Sequence, residues 1–170
     1  MLKLLAATQI DEQEYWDYID EWKNHAEQIV PSSVNPRDRP FQQWLDYIVA
    51  MQKPETLPAN LIVADTYFLS DPEARLLGAV NIRHSLNEYL YNFGGHIGYG
   101  VRPSERKKGY ATMIVRLALN KCRELGLDRV LITCATDNTA SAHTIIANGG
   151  VLENEVLEDG QPTSRFWIEL

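Results

Sequence analysis

The sequence predicts a layered α/β fold, a mixed and mostly antiparallel sheet of about seven strands with helices on both faces. Three observations predict it. Apolar, β-branched runs of strand length alternate with stretches whose apolar residues recur every three or four positions. The longest helical stretch, residues 109–125, lies between two strand-like runs, "HIGYGV" and "RVLITCA". A strand, a helix and a strand in that order form a crossover, which makes the fourth and fifth strands parallel. The rest of the sheet is expected to be antiparallel.

The elements follow in order. Residues 2–8, "LKLLAAT", read as a first strand. Tyr15, Ile19, Trp22, Ala26 and Ile29 then share one helical face, and Pro31 ends that helix. "PSSVNPRDRP" is a loop, with three prolines in ten residues. Phe41, Trp44, Leu45 and Ile48 give a short second helix. Residues 61–69 and 75–86 are two strands joined by "DPEA" as a hairpin. In "HIGYGV" the alternation puts Ile97, Tyr99 and Val101 on one face and His96, Gly98 and Gly100 on the other. A face of His-Gly-Gly lets another group approach the backbone closely, or marks a bend against a neighbouring helix. The long helix carries Tyr110, Met113, Ile114, Leu117 and Ala118 as its expected buried stripe, and Gly126 ends it. Residues 129–135 are apolar on both faces, as a covered central strand should be. Asp137 or Asn138 caps a last helix that closes on Gly149-Gly150. Asp159-Gly160 turns the final hairpin.

The chain has 170 residues, 45% of them hydrophobic, which suits one domain over 1–170 with a core of its own. No apolar run approaches the ~18 residues a bilayer span needs, and "MLKLLAATQIDEQEYW" lacks the pattern of a signal peptide. No membrane partner is expected. Cys122 and Cys134 form no CxxC, so neither a disulfide framework nor a zinc site is suggested, no metal is expected, and a reducing cytoplasm is the default location. The formal net charge of −7 argues against nucleic-acid binding, which needs a broad basic face.

Against that acidic background, Arg102, Arg106, Lys107 and Lys108 cluster where a loop enters the long helix at Gly109. A solvated loop can carry such residues. The other reading is an anion site: the first turn of a helix has unpaired N–H groups and partial positive charge, and Gly109 and Ala111 leave them accessible. GxxxxGK[ST] and G-x-G-x-x-G are both missing, so neither a Walker A loop nor a dinucleotide fingerprint is present.

Arg106-Lys107-Lys108-Gly109-Tyr110-Ala111 resembles the acyl-coenzyme A pyrophosphate loop, [Arg/Gln]-x-x-Gly-x-[Gly/Ala], of the GNAT N-acetyltransferase superfamily. "DNTASAHTIIANGGVLENE" is similar to that family's second cofactor segment, and the element order matches over nearly all of the chain. "RHSLN", "GGHIGYGVRPSERKKGYA" and "IIANGGVLENE" look more specifically like a branch of predicted acetyltransferases. The resemblance implies acetyl-CoA as co-substrate and direct acetyl transfer to a primary amine of a small molecule or peptide. It implies that N–H groups of Arg106, Lys107, Lys108, Gly109, Tyr110, Ala111 and Thr112 hold pyrophosphate. Tyr99, Gly100 and Val101 would pair with the pantetheine arm between splayed fourth and fifth strands, and Asn138 would touch the cofactor while also capping its helix. Many members carry a Tyr seven residues after that Asn as a proton donor; here Ile145 stands there. Ser141, one turn earlier, or water is left for that role, unless the thiolate leaves unassisted.

His96 heads the fourth strand and is the first candidate base, with the alternative that it only caps the strand end. His84 and Glu88 end the third strand and are candidates for the acceptor side, or simply surface residues. Trp16, Trp22 and Trp44 either pack the core or line an acceptor pocket. The resemblance also makes a homodimer through the last strands an expectation. The rival from another class is a non-catalytic acyl-CoA sensor; a nucleotide-binding interaction module would use the same anion nest.

Overall fold

The computed structural model describes residues 1–170. Strand β1 (Lys3–Ala6) gives way to a 3₁₀ turn and then α1 (Glu12–Asn24). Asp11 caps α1 by accepting from the Glu14 N–H, with Glu12 and Glu14 in the positive first turn. This helix stops at Asn24, short of the expected Pro31. Ala26 turns left-handed at φ 52°, which no helix continues, and Ile29 is buried from the loop instead. Helix α2 (Phe41–Ala50) follows, then the hairpin of β2 (Ala64–Ser70) and β3 (Leu76–Arg83), and β4 (Ile97–Val101) pairs antiparallel with β3. Helix α3 (Tyr110–Glu124) leads to β5 (Arg129–Ala135), α4 (Thr139–Ala147), β6 (Val151–Glu158) and β7 (Gln161–Glu169). Asp159 and Gly160 turn the last hairpin, both at positive φ, as a two-residue turn between twisted strands requires.

The strands form two sheets, β1-β2-β3-β4 and β5-β7-β6, rather than one of seven strands. The reason lies in β7. It pairs with β5 along its whole length, from Arg129 opposite Glu169 to Ala135 opposite Thr163, and with β6 on its other edge. The remaining edge of β5 forms no ladder with β4. The two sheets meet at the head of β4, where the His96 N–H donates to the Leu131 carbonyl at 2.7 Å.

Two apolar clusters hold the layers together. One fills the space between the sheets and α3, with Val80, Ile82, Ile97, Ile114, Val115, Ile132, Ile145 and Phe166. Gly78 lets α3 come close, since a methyl there would meet the Ile114 Cδ1 at 2.6 Å. The buried stripe of α3 is Ile114, Val115, Ala118, Leu119 and Cys122, so it is rotated from the expected one; Tyr110, Met113 and Leu117 only flank it. The second cluster seats α1 and α2 on the opposite face of the first sheet through Tyr15, Tyr18, Trp22, Trp44 and Phe68. Tyr15 stacks on Trp44 with ring centres 4.2 Å apart. The Tyr15 hydroxyl donates to the Val34 carbonyl and Trp44 Nε1 to that of Ser33, which pins the loop over the sheet. No helix is long and apolar enough to cross a membrane.

Candidate functional site

The loop from β4 into α3 is built to leave donors free. Lys107 and Gly109 both take left-handed φ, 62° and 82°, and Gly109 occupies the N-cap position with no side-chain cap. The N–H groups of residues 107–112 donate to no protein acceptor, a run longer than a helix start alone leaves. A methyl at Gly109 would find nothing within 4 Å. All of residues 107–112 except Lys108 line a cavity of about 580 Å³. One wall is β4 at Tyr99, Gly100 and Val101; the other is the first turns of α4 at Asn138, Ala140, Ser141 and Thr144. The Arg83 N–H donates to the His96 carbonyl and the Arg102 N–H to that of Leu77, so alternate residues from 96 to 102 bond to β3 and the N–H and C=O of Tyr99 and Val101 turn outward.

The charges of the loop are arranged differently from the sequence expectation. Arg106 forms a two-pronged pair with Glu27, at 2.9 and 2.7 Å, and lies over the Trp22 ring. Lys108 pairs with Glu105 at 2.8 Å and does not line the cavity. Both carboxyls are held below the usual range by these cations. Lys107 lines the cavity without a carboxylate partner. Behind the loop, buried Arg102 bonds Glu14 and Glu21 at 2.7 and 2.6 Å, and Glu21 also accepts from the Ser104 N–H. Burial raises the Glu21 pKa, yet these bonds prevail and hold it down to about 2. Helix α1 is thereby fixed to the loop.

Asn138 caps α4 by accepting from the Ser141 N–H at 3.1 Å, and it also lines the cavity. Ser141 shares a hydrogen bond of 2.7 Å with the Tyr99 hydroxyl, whose pKa burial raises. Ile145 is fully buried in the core.

His96 lies elsewhere. It is 6% exposed and outside the cavity lining. Its Nδ1 accepts from the Leu131 N–H at 2.9 Å, so together with its backbone bond it clips β4 to β5. Burial, then the nearby Arg83 charge, pushes its pKa down to about 4. The ring is neutral at pH 7, with its one acceptor nitrogen already engaged. His84 pairs with Asp65 at 2.7 Å, and Glu88 is exposed; neither is brought to the cavity. Trp44 is core, while Trp22 belongs both to the core and to the cavity wall. The sequence reading missed Glu27, Gln28 and Val30, which line the cavity from the loop after α1. Nothing local signals that a carboxylate 79 positions away will reach Arg106.

No group of three or more His, Cys, Asp or Glu side chains is arranged to hold a metal ion. The model of the acetyltransferase (GNAT) domain matches residues 4–151. No curated protein matches the sequence. Among solved structures, a dodecameric spermidine N-acetyltransferase from Vibrio cholerae superposes with a TM-score of 0.68 at 18% identity, over 99% of this chain and 93% of that one. A mutant form of the spermidine/spermine N-acetyltransferase SpeG from the same organism gives 0.63 at 18% identity, over 99% and 95%. The unpaired edge of β4, the uncapped start of α3 and the matched family model agree: the chain belongs to the GNAT family of N-acetyltransferases.

Proposed function

We propose that this chain, acting as one domain over 1–170, moves an acetyl group from acetyl-CoA directly to a primary amine. One observation carries the reading: the unpartnered N–H groups of Lys107 and residues 109–112 belong to the wall of a cavity that continues along a free strand edge. The co-substrate fits that surface. A pyrophosphate takes several convergent N–H donors. The outward N–H and C=O groups of Tyr99 and Val101 suit an amide-bearing arm, and the small residues Ala140, Ser141 and Thr144 leave width for it. In this reading β4 and β5 run parallel and splay below the His96 clip.

Acetyl-CoA supplies the activated thioester. The chain supplies position and a proton. Holding the reactants together accounts for much of the rate. The Tyr99 hydroxyl, oriented by Ser141, gives a proton to the leaving sulfur in place of the side chain that Ile145 lacks. His96 keeps the strands in register as a neutral clip, and the amine proton leaves to water. A free alkyl amine has a pKa near ~10.4, so only about 0.1% or less is reactive at neutral pH. A homodimer would use β6, where Val151, Leu152 and Leu157 are exposed.

Thiol release with a panel of amines, beside titration with acetyl-CoA, ATP and NAD, tests the reading. Acetyl-CoA should bind much the tightest and release thiol only with an amine present. Tyr99→Phe should slow kcat by about 10–100-fold with unchanged cofactor affinity. Equal affinity for all three nucleotides sinks the coenzyme A reading. Tight binding without turnover makes the protein an acyl-CoA sensor.

A further inference from the structure

A second cavity, of about 350 Å³, lies between the loop before α2 and the ends of β2 and β3. Arg37, Arg39 and Arg83 line it, and no Asp or Glu does, in a chain whose net charge is −7. None of the three arginines has a carboxylate within 4.0 Å, although Arg75, Arg102, Arg106 and Arg165 all do. Arg83 is half-buried, its Nη1 donating to the carbonyls of Gly94 and Gly95 at 2.9 and 3.0 Å. Its Nε and Nη2 have no protein acceptor. Arg39 lies over the Tyr47 ring and its guanidinium makes no hydrogen bond. Asn81 and Asn87 add amide groups to the same wall.

We propose that this cavity is the acceptor's site, and that it selects small amines bearing an anionic group such as a carboxylate or phosphonate. The inference rests on the acetyl-transfer reading for the amine and on the arginines for the anion. A desolvated guanidinium is costly without a partner, and burial does lower the Arg83 pKa. A planar two-oxygen anion is the ligand whose geometry matches its free edge. A polyamine would meet three like charges here.

The position fits a meeting of two substrates. On the glycine face of β4, a methyl at Gly98 would lie 3.4 Å from Arg83 Nη2 and 3.6 Å from Pro31 Cβ, while one at Gly100 would strike the Val30 carbonyl. The Val30-Pro31 segment thus crosses β4, with the first cavity on its Val30 side and the arginine cavity on its Ser32 side. The amine would approach β4 past this segment while the anion stays on Arg83.

The test compares amino acids and an aminoalkylphosphonate with their neutral amide or ester counterparts, and with spermidine, in the acetyl-CoA thiol-release assay. The anionic amines should win by at least ~10-fold in kcat/KM, and the faster acid identifies the headgroup. Arg83→Gln should reduce that preference to about twofold or less. Arg39→Ala, which leaves the Gly94 and Gly95 caps in place, should reduce it about threefold. Direct titration of N-acetylated amino acids, as product probes, reads the site without turnover; their binding should weaken about tenfold in Arg83→Gln. Neutral amines or spermidine used as well as the acids, or product probes that bind independently of Arg83, would overturn the proposal. Arg83-dependent probe binding without any acetyl transfer would instead overturn the transfer reading and leave the anion site standing.

Discussion

The two cavities on either side of Val30-Pro31 address charge in opposite ways. Around the first, cationic side chains are matched by acids: Arg106 by Glu27, Lys108 by Glu105. What remains unmatched there is Lys107 and, above all, main chain, the N–H groups of residues 107–112. In the second, cationic side chains are left over, with Arg37, Arg39 and Arg83 lacking any acid. A site made of backbone donors is indifferent to most substitutions but sensitive to anything that blocks it. A site made of guanidinium groups loses its ligand one side chain at a time.

The sharpest way to break this contrast is Gly109→Glu. The residue sits at φ 82° with empty space around it, so the fold should survive at a cost of about 1 kcal/mol in backbone strain. The new carboxylate would cover the free N–H groups, and acetyl-CoA affinity should fall at least ~100-fold by calorimetry. Normal affinity would place the pyrophosphate away from α3.

A smaller effect concerns the point where the sheets join. His96 titrates near 4 in the fold and near ~6.5 when unfolded. As the pH falls below 6.5 the unfolded chain takes up this proton first, so stability is lost between pH 6.5 and 4, at about 1.4 kcal/mol per unit. Urea unfolding at pH 7 and pH 5 should differ by about 2 kcal/mol more in the native protein than in His96→Gln. Equal differences would remove His96 from the clip.

The smallest change expected is that of Glu27→Gln. The Glu27–Arg106 pair is about two-fifths exposed on each side, so it is worth at most about 1 kcal/mol. Freeing Arg106 should tighten acetyl-CoA binding two- to fivefold, roughly. A weaker complex would mean that Glu27 positions Arg106 for the phosphate rather than competing with it.

Much of the first cavity was legible because its signals are local. Gly109 before an apolar stripe, Asn138 three residues before Ser141, and the alternation of Ile97, Tyr99 and Val101 are all read within a few positions. What escaped depends on distant partners. His96 looked like a base because the N–H that occupies its Nδ1 belongs to Leu131, on another strand. The division into two sheets follows from β7 choosing both β5 and β6, a pairing that no local pattern encodes. The arginine cavity had a faint trace: Arg83 closes a strand that is apolar but for Asn81, and Arg37 and Arg39 sit among prolines. Their convergence needed Tyr15 and Trp44 to pin the intervening loop.

The order in the second sheet, β5-β7-β6, has a consequence for the chain while it is being made. β5 and β6 emerge from the ribosome before the strand that belongs between them. Until β7 is released, two edges stay open, and the one on β6 carries Val151, Leu152 and Leu157, which remain exposed even in the finished molecule. Open apolar edges recruit other strands. The nascent protein is therefore most vulnerable to aggregation late in synthesis, when the first sheet can already be complete, and slow elongation or stalling within β7 prolongs that exposure.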